Sequence, residues 1–137
     1  MLKILAMLQR VQSLCLFSSG IISLLILVYP PILELNGIVF VLKDFNNLIP
    51  PGSLLFSAVL SIYTIFQYRR RKLQMILTKL ARLLILVCIV SLFLQIKEDI
   101  NIRYGFYLLL IPFLTLLLAG YFIKKDEDLV KSADRIR

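Results

Sequence analysis

Residues 69–79 read RRRKLQMILTK and separate two long apolar segments, 52–68 and 80–96. Two further apolar segments, 11–29 and 104–123, fill most of the remaining chain. Each segment is close to the roughly 20 residues that a helix needs to cross a bilayer. The chain of 137 residues is 60% hydrophobic, whereas soluble domains are about 45–50% apolar. The sequence therefore predicts a single domain built as an all-α, antiparallel four-helix transmembrane bundle.

The basic residues alternate between the segments that flank the apolar stretches. Two precede the first stretch, six follow the second (five in 69–79 and Arg82 just inside the third stretch) and five follow the fourth, against one and two in the other connections. Because positive charge is retained on the cytoplasmic side, we expect both termini and the connection 69–79 to face the cytoplasm. Segments 1–10 and 124–137 are then cytoplasmic, and 30–51 and 97–103 are periplasmic, in a multi-pass protein of the bacterial inner membrane.

The first periplasmic segment contains two β-prone runs, 32–35 and 38–44, separated by Asn36 and Gly37. Both turn residues tolerate a positive φ, which a type I′ turn requires. We expect a short β-hairpin at the membrane surface, with an irregular interfacial loop as the alternative. The second periplasmic segment, 97–103, is predicted to be a short turn.

Several function classes are disfavoured by residues that the sequence lacks. Histidine is absent, which removes the usual general base near neutral pH and most zinc and haem ligation. The central parts of the apolar segments contain no acidic or basic residue, whereas proton relays and ion paths carry such groups. We find no paired carboxylates, phosphate loop or metal-ligand cluster, so no enzymatic activity, cofactor or metal is expected. The basic residues lie beside apolar segments, so nucleic-acid binding is not expected either.

Small polar residues recur at helical spacing on the first two apolar segments. Residues four apart lie on one face of a helix, and small or hydroxyl side chains allow helices in lipid to approach closely. We therefore expect these residues to pack the bundle, although a binding site or a partner helix would use the same spacing. The predicted packing residues are Ser19, Ser23, Ser53, Ser57 and Ser61.

Charged residues on the predicted cytoplasmic side form a candidate contact surface for anionic lipid or for an unidentified membrane-protein partner. A simple stop and orientation signal would contain the same basic run, so both interpretations stay open. The tail 124–137 has acidic residues before basic ones, which suits a helix, either docked or continuous with the fourth span. The predicted contact residues are Arg10, Arg69, Arg70, Arg71, Lys72, Asp126, Glu127, Asp134 and Arg135.

Both ends of the chain and one internal stretch resemble a known family. Residues 7–13, MLQRVQS, are similar to its Met-Ile-Gln-Arg-Ile-Gln-Thr opening, and residues 125–137, KDEDLVKSADRIR, to its Lys-Asp-Glu-x-Leu-Val-Arg-Ser-Ala-Asp-Arg-Leu-Arg ending. Residues 71–74, RKLQ, are similar to the family's stretch after the second span. The family comprises small membrane proteins of Bacteroidota described as domain of unknown function 4293. The resemblance implies a four-helix membrane protein and brings no assigned activity, cofactor or substrate.

The resemblance also bears on the start of translation. Residues 1–6 precede the family's usual opening, which raises the hypothesis that translation begins at Met7 and leaves Met1 as the other start. A measurement of intact mass would decide between the two starts.

The sequence favours a non-enzymatic accessory or scaffolding role. Polar, motif-like residues cluster on the predicted cytoplasmic side, while the spans lack reactive groups. The protein would contact a membrane or cytoplasmic partner, or anionic lipid, through its basic connection and charged tail. The alternative is a passive transporter or channel for a neutral or lipidic molecule, with a path lined by Ser57, Ser61, Thr64, Gln67, Ser91 and Gln95.

Overall fold

The computed structural model describes residues 2–67, 69–96 and 100–135. Within them the chain forms five α-helices, three β-strands and one turn of 3-10 helix. The helices are α1 (Leu2–Val28), α2 (Ile49–Phe66), α3 (Arg71–Phe93), α4 (Tyr104–Leu108) and α5 (Leu110–Arg135). The strands are β1 (Pro31–Leu35), β2 (Ile38–Val41) and β3 (Ile100–Ile102).

The four long helices α1, α2, α3 and α5 form an antiparallel bundle. Each packs against two others, so that α1 and α3 both lie between α2 and α5. Leu16, Leu54, Ile85 and Leu116, one from each helix, are fully buried in the core. The predicted arrangement of four long apolar helices is confirmed, since each is long and apolar enough to cross a membrane when α4 is counted with α5.

The helices extend beyond the apolar segments that predicted them. α3 begins at Arg71, within the basic connection, and α5 continues through the charged tail to Arg135. The tail is therefore continuous with the fourth long helix, which is one of the two interpretations given above. α4 and α5 are separated at Leu109, because Pro112 lacks an N–H and its ring crowds the carbonyl of Leu108.

Small polar side chains lie inside the bundle, and large apolar side chains lie outside it. Ser57, Ser61 and Thr64 are fully buried, whereas Phe56 and Phe93 on the outer faces are 64% and 65% exposed. Exposed large apolar residues occur on all four long helices. Soluble monomers rarely expose extended apolar patches, while lipid accommodates them and leaves close packing to small residues inside. The distribution is compatible with a protein that spans a bilayer.

The hairpin predicted between the first two long helices is confirmed. β1 and β2 pair antiparallel, with Leu35 opposite Ile38. Asn36 and Gly37 between them have φ values of 52° and 80°, and a positive φ at both positions defines a type I′ turn. The second strand is shorter than predicted, because residues 42–44 form the 3-10 turn.

Segment 97–103, expected to be only a short turn, contributes a third strand. β3 pairs antiparallel with β1, with Leu33 opposite Ile102, and the strand order is β2-β1-β3. A three-residue strand carries almost no period-2 pattern, and its partner is distant in sequence, so tertiary contacts determine it. Residues 97–99 lie outside the described residues.

The sheet packs on the start of the fourth span through backbone contacts. The Arg103 N–H donates to the Ile32 carbonyl over 3.0 Å, and the Arg103 side chain forms an ion pair with Glu34. Gly105 of α4 lies against the Pro31 carbonyl so closely that a Cβ at position 105 would overlap it. These contacts close one end of the bundle, called the sheet end.

The opposite end of the bundle is called the basic end. It consists of residues 9–12 of α1, residues 69–74 around the start of α3, and residues 124–135 of α5. The alternating direction of the four helices brings these three stretches together.

Candidate interaction site

An ion pair joins α3 to α5 at the basic end. Arg71 Nε lies 3.3 Å from Asp126 Oδ2, and the Asp126 side chain is 2% exposed. Asp126 points inward because it continues the buried face of α5 that also carries Ala119 and Ile123. Since an unpaired buried charge is strongly unfavourable, this contact fixes the last turns of α5 against the first turn of α3.

A pair of buried amides joins α1 to α3 beside this ion pair. Gln12 Nε2 donates to Gln74 Oε1 over 3.3 Å, and both side chains are buried. Gln74 lies one helical turn after Arg71. Its backbone carbonyl accepts a hydrogen bond from Thr78 Oγ1 over 2.8 Å. Polar contacts in adjacent turns therefore connect three of the four long helices.

A concavity of about 810 Å³ opens at the basic end, beside the ion pair. Glu127 on its α5 side pairs with Lys131, with 2.7 Å between Oε1 and Nζ. The hydrogen bond from Lys131, supplemented by the charges of Lys72 and Arg71, lowers the pKa of Glu127 below its usual value. The carboxylate therefore stays ionised at neutral pH. Five predicted contact residues line this concavity: Arg69, Arg70, Arg71, Lys72 and Glu127.

The remaining predicted contact residues lie elsewhere. Arg10 is exposed and lines a neighbouring groove between α1 and α2, together with Phe17 and Phe66. Asp126 is buried under its contact with Arg71 rather than displayed on the surface. The side chains of Asp134 and Arg135 lie outside the described residues.

The predicted packing residues are all buried: Ser19, Ser23, Ser53, Ser57 and Ser61. Two of them connect helices. Ser19 Oγ donates to the Pro112 carbonyl of α5 over 3.3 Å, and Ser57 Oγ donates to the Ala81 carbonyl of α3 over 2.9 Å. The small side chains at these positions let neighbouring backbones come within hydrogen-bonding reach of a hydroxyl.

Apart from Ser57, the side chains that would line a passive path form hydrogen bonds to residues three or four positions earlier in the chain. Thr64 Oγ1 donates to the Leu60 carbonyl, and Ser91 and Gln95 donate to carbonyls of α3. Gln67 Nε2 donates to a tyrosine hydroxyl one turn away. Hydroxyls satisfied by helix carbonyls do not need the water that a polar path would supply.

Residues of the types that hold metal ions are dispersed in the described part of the chain. There, no group of three or more Cys, Asp or Glu lies close enough to hold a metal ion. The two cysteines, Cys15 and Cys88, are free thiols.

A comparison with models of protein families gives a match that covers nearly the whole chain. The model of the family described as Domain of unknown function (DUF4293) matches residues 8–136. The chain belongs to this family. The resemblance drawn from the sequence is thereby confirmed, while no curated protein and no solved structure gives a significant match.

The three stretches that carry the resemblance to the DUF4293 family meet at the basic end. The opening stretch supplies Gln12, the internal stretch supplies Arg71 and Gln74, and the ending supplies Asp126. These side chains come from three helices and are far apart in sequence, yet they form two adjacent buried contacts. The three stretches on which the resemblance rests thus each contribute to one polar layer.

Sequence analysis assigned no role to Gln12, Gln74 or Thr78. The helical spacing of these residues relative to buried positions could have indicated their role. Gln12 lies four residues before the buried Leu16, and Gln74 and Thr78 lie on the buried face of α3. Glutamines on the inward faces of two spans at the same end of a bundle favour an interhelical amide contact.

Proposed function

We propose that the protein is a non-enzymatic accessory or scaffolding subunit of the bacterial inner membrane, with its basic end in the cytoplasm. There the concavity beside residues 69–72 binds an acidic segment of a partner membrane protein. One observation carries the proposal. Arg71 is held by a buried carboxylate within a fixed framework, while Arg70 and Lys72 on either side of it are exposed at the concavity.

The buried polar layer supports a specific contact surface rather than a simple anchor. Buried ion pairs add little stability compared with apolar packing, and within the described residues Gln12 Oε1 and Asp126 Oδ1 are buried without a hydrogen-bond partner. A helix that only anchored the chain would not need such a layer. A surface that is already ordered loses less conformational entropy when a partner binds, so the layer serves binding.

The basic residues that line the concavity favour a negatively charged occupant. Arg70 and Lys72 are exposed there, and the acidic Glu127 is engaged by Lys131. An acidic segment would therefore meet positive charge that is not internally neutralised, and such complementarity speeds association and selects partners. The excess of basic residues at this end favours a cytoplasmic location.

A passive transporter or channel receives less support. Its path would need polar side chains that face a shared lumen, whereas Ser57 bonds across to α3 and Ser61 and Thr64 bond to carbonyls of α2. Hydrogen bonds of this kind are typical of helix packing.

Site-specific crosslinking in intact cells tests the proposal. A photo-crosslinking amino acid replaces Val130, which lines the concavity without contributing charge, and mass spectrometry identifies the captured peptide. We expect one captured segment rich in Asp and Glu. Arg70→Glu in the same chain should lower its yield at least about tenfold, the change that 1.4 kcal/mol of binding energy produces. Lys43→Glu, an exposed basic position between the sheet and α2, is the matched control and should leave the yield unchanged.

A compensating change of charge in the captured partner segment completes this test. Replacing acidic residues of the captured segment by lysine should recover the yield with the Arg70→Glu chain. Equal yields from the Arg70→Glu and Lys43→Glu chains, or a captured peptide without acidic residues, would overturn the proposal.

A further inference from the structure

A second cleft, of about 480 Å³, opens between α3 and α5 and is called the α3–α5 cleft. Its lining residues recur at helical spacing, so one face of each helix forms a wall. Space is left between the walls at Gly120, since a Cβ built at this position would meet only Thr78 Cγ2, at 4.0 Å. The walls consist of Met75, Thr78, Lys79 and Arg82 on α3 and Leu117, Gly120, Tyr121 and Lys124 on α5.

Three basic side chains surround the α3–α5 cleft without ion-pair partners in the part of the chain that the structure describes: Lys79, Arg82 and Lys124. The acidic residues at its mouth do not cancel this charge. Glu127 is paired with Lys131, which leaves Asp128 as one carboxylate against three cations. The cleft is therefore positively charged and suited to an anion.

Arg82 occupies a position at which a guanidinium needs a partner. It is half-buried on α3 and lies within the apolar segment 80–96. Charged side chains in a span either extend toward the head groups or pair with another charge. Since none of the described acidic residues forms an ion pair with Arg82, an external anion at the membrane surface would satisfy it.

The walls of the α3–α5 cleft combine this charge with apolar surface. Met75 and Leu117 lie beside the basic residues. Tyr121 is 61% exposed and stands near the end of the apolar segment 104–123, where amphipathic rings favour the membrane interface. A phospholipid offers both a phosphate and acyl chains to such a cleft, whereas a soluble anion would leave the apolar walls unused.

We propose that the α3–α5 cleft binds the phosphate of an anionic phospholipid, held by Lys79 and Arg82 from one helix and Lys124 from the other. An acyl chain runs along Leu117 and Tyr121. Arginine can hold a phosphate through two parallel hydrogen bonds, and basic pockets between transmembrane helices are known sites for anionic head groups. The cleft adjoins the concavity that the proposed function assigns to a protein partner and shares Glu127 and Lys131 with it, whereas Lys79, Arg82 and Lys124 line only the cleft.

Native mass spectrometry of the full chain in detergent tests this site. The probes are phosphatidylglycerol, which carries a net negative charge, and phosphatidylcholine, which carries none. We expect one retained phosphatidylglycerol and markedly weaker retention of phosphatidylcholine. A third arm adds inorganic phosphate during the titration to separate a lipid from a free anion, and it should not displace the lipid at equal concentration.

Single substitutions locate the binding. Arg82→Gln and Lys124→Gln should each weaken binding of phosphatidylglycerol about fivefold, the effect of one basic residue near a charged head group. Lys125→Gln removes an exposed neighbouring charge that does not line the cleft and should leave binding unchanged. Arg82→Lys keeps the charge and should retain more binding than Arg82→Gln. Melting temperatures in detergent verify that the variants are folded.

Three results would overturn the lipid site. They are equal retention of the two lipids by the native chain, equal losses in the Lys124→Gln and Lys125→Gln chains, and displacement of lipid by equimolar inorganic phosphate. Each result is independent of the crosslinking test, because Arg70 does not line the α3–α5 cleft.

Discussion

At the scale of the residue, a close contact between two backbone segments requires glycine at position 105. Gly105 is the second residue of α4 and lies against β1, where a Cβ would overlap the carbonyl of Pro31. The neighbouring Arg103 N–H bonds to Ile32, so the two segments cannot separate without losing that hydrogen bond. A helix that approaches a strand this closely needs glycine at the point of contact.

We therefore predict that Gly105→Ala destabilises the protein. Crowding in a packed interior typically costs about 1–3 kcal/mol, which should appear as a lower melting temperature in detergent. Gly52→Ala is the matched control, because a Cβ at this position in the first turn of α2 meets nothing within 4 Å. Equal melting temperatures for the two variants would contradict the close packing of α4 on β1.

The residue scale also shows what the sequence could predict. Asn36 and Gly37 specified the hairpin because the requirement for positive φ at both positions is local. Asp126 was assigned to the contact surface because it lies in a charged tail, yet it is buried beside Arg71. Its burial depends on the phase of α5 and on the start of α3, which short-range patterns do not contain.

At the scale of the element, the bundle depends on small residues where α2 meets α3. Ser57 is fully buried and bonds to the Ala81 carbonyl of α3, so a larger side chain has no space without moving a helix. Ser61, one turn further, is also fully buried. The spacing of these serines predicted a face, but it did not predict which helix the face would meet.

Ser57→Leu should lower the free energy of unfolding by about 1–3 kcal/mol, because overpacking strains the helix contact, and Ser61→Leu should act in the same direction. Val59→Leu tests the same helix at a site that is 55% exposed and should change stability little. Denaturation in a fixed detergent, followed by circular dichroism, measures all three variants. Unchanged stability of both serine variants would count against the packing role.

The helices and strands also differ in how well they could be predicted from the sequence. Long apolar runs predicted the four long helices because their length and composition are properties of each segment alone. β3 has only three residues, Ile100–Ile102, and exists through its pairing with β1. The candidate site could likewise be predicted only in part. Its charged residues are evident from the sequence, but the amide contact between Gln12 and Gln74 depends on how the helices pack against one another.

At the scale of the whole molecule, charge is distributed unequally between two ends of an apolar body. Among the described residues of the sheet end, Arg103 is paired with Glu34, and the other basic residue, Lys43, is followed directly by Asp44. At the basic end, exposed cations such as Arg70 and Lys72 remain beside paired ones. Moving that excess across a bilayer is unfavourable, so the molecule should have one orientation.

Labelling of engineered cysteines in intact cells checks this orientation. Asn46→Cys lies in the exposed loop before α2, and Ser132→Cys lies on the exposed side of the α5 tail. A membrane-impermeant thiol reagent should modify position 46 in intact cells that have a permeable outer layer, and position 132 only after the inner membrane is opened. The unsubstituted chain provides the background, since Cys88 is buried and Cys15 is only partly accessible. Modification of position 132 but not position 46 in intact cells would reverse the orientation, and with it the cytoplasmic assignment of the basic end.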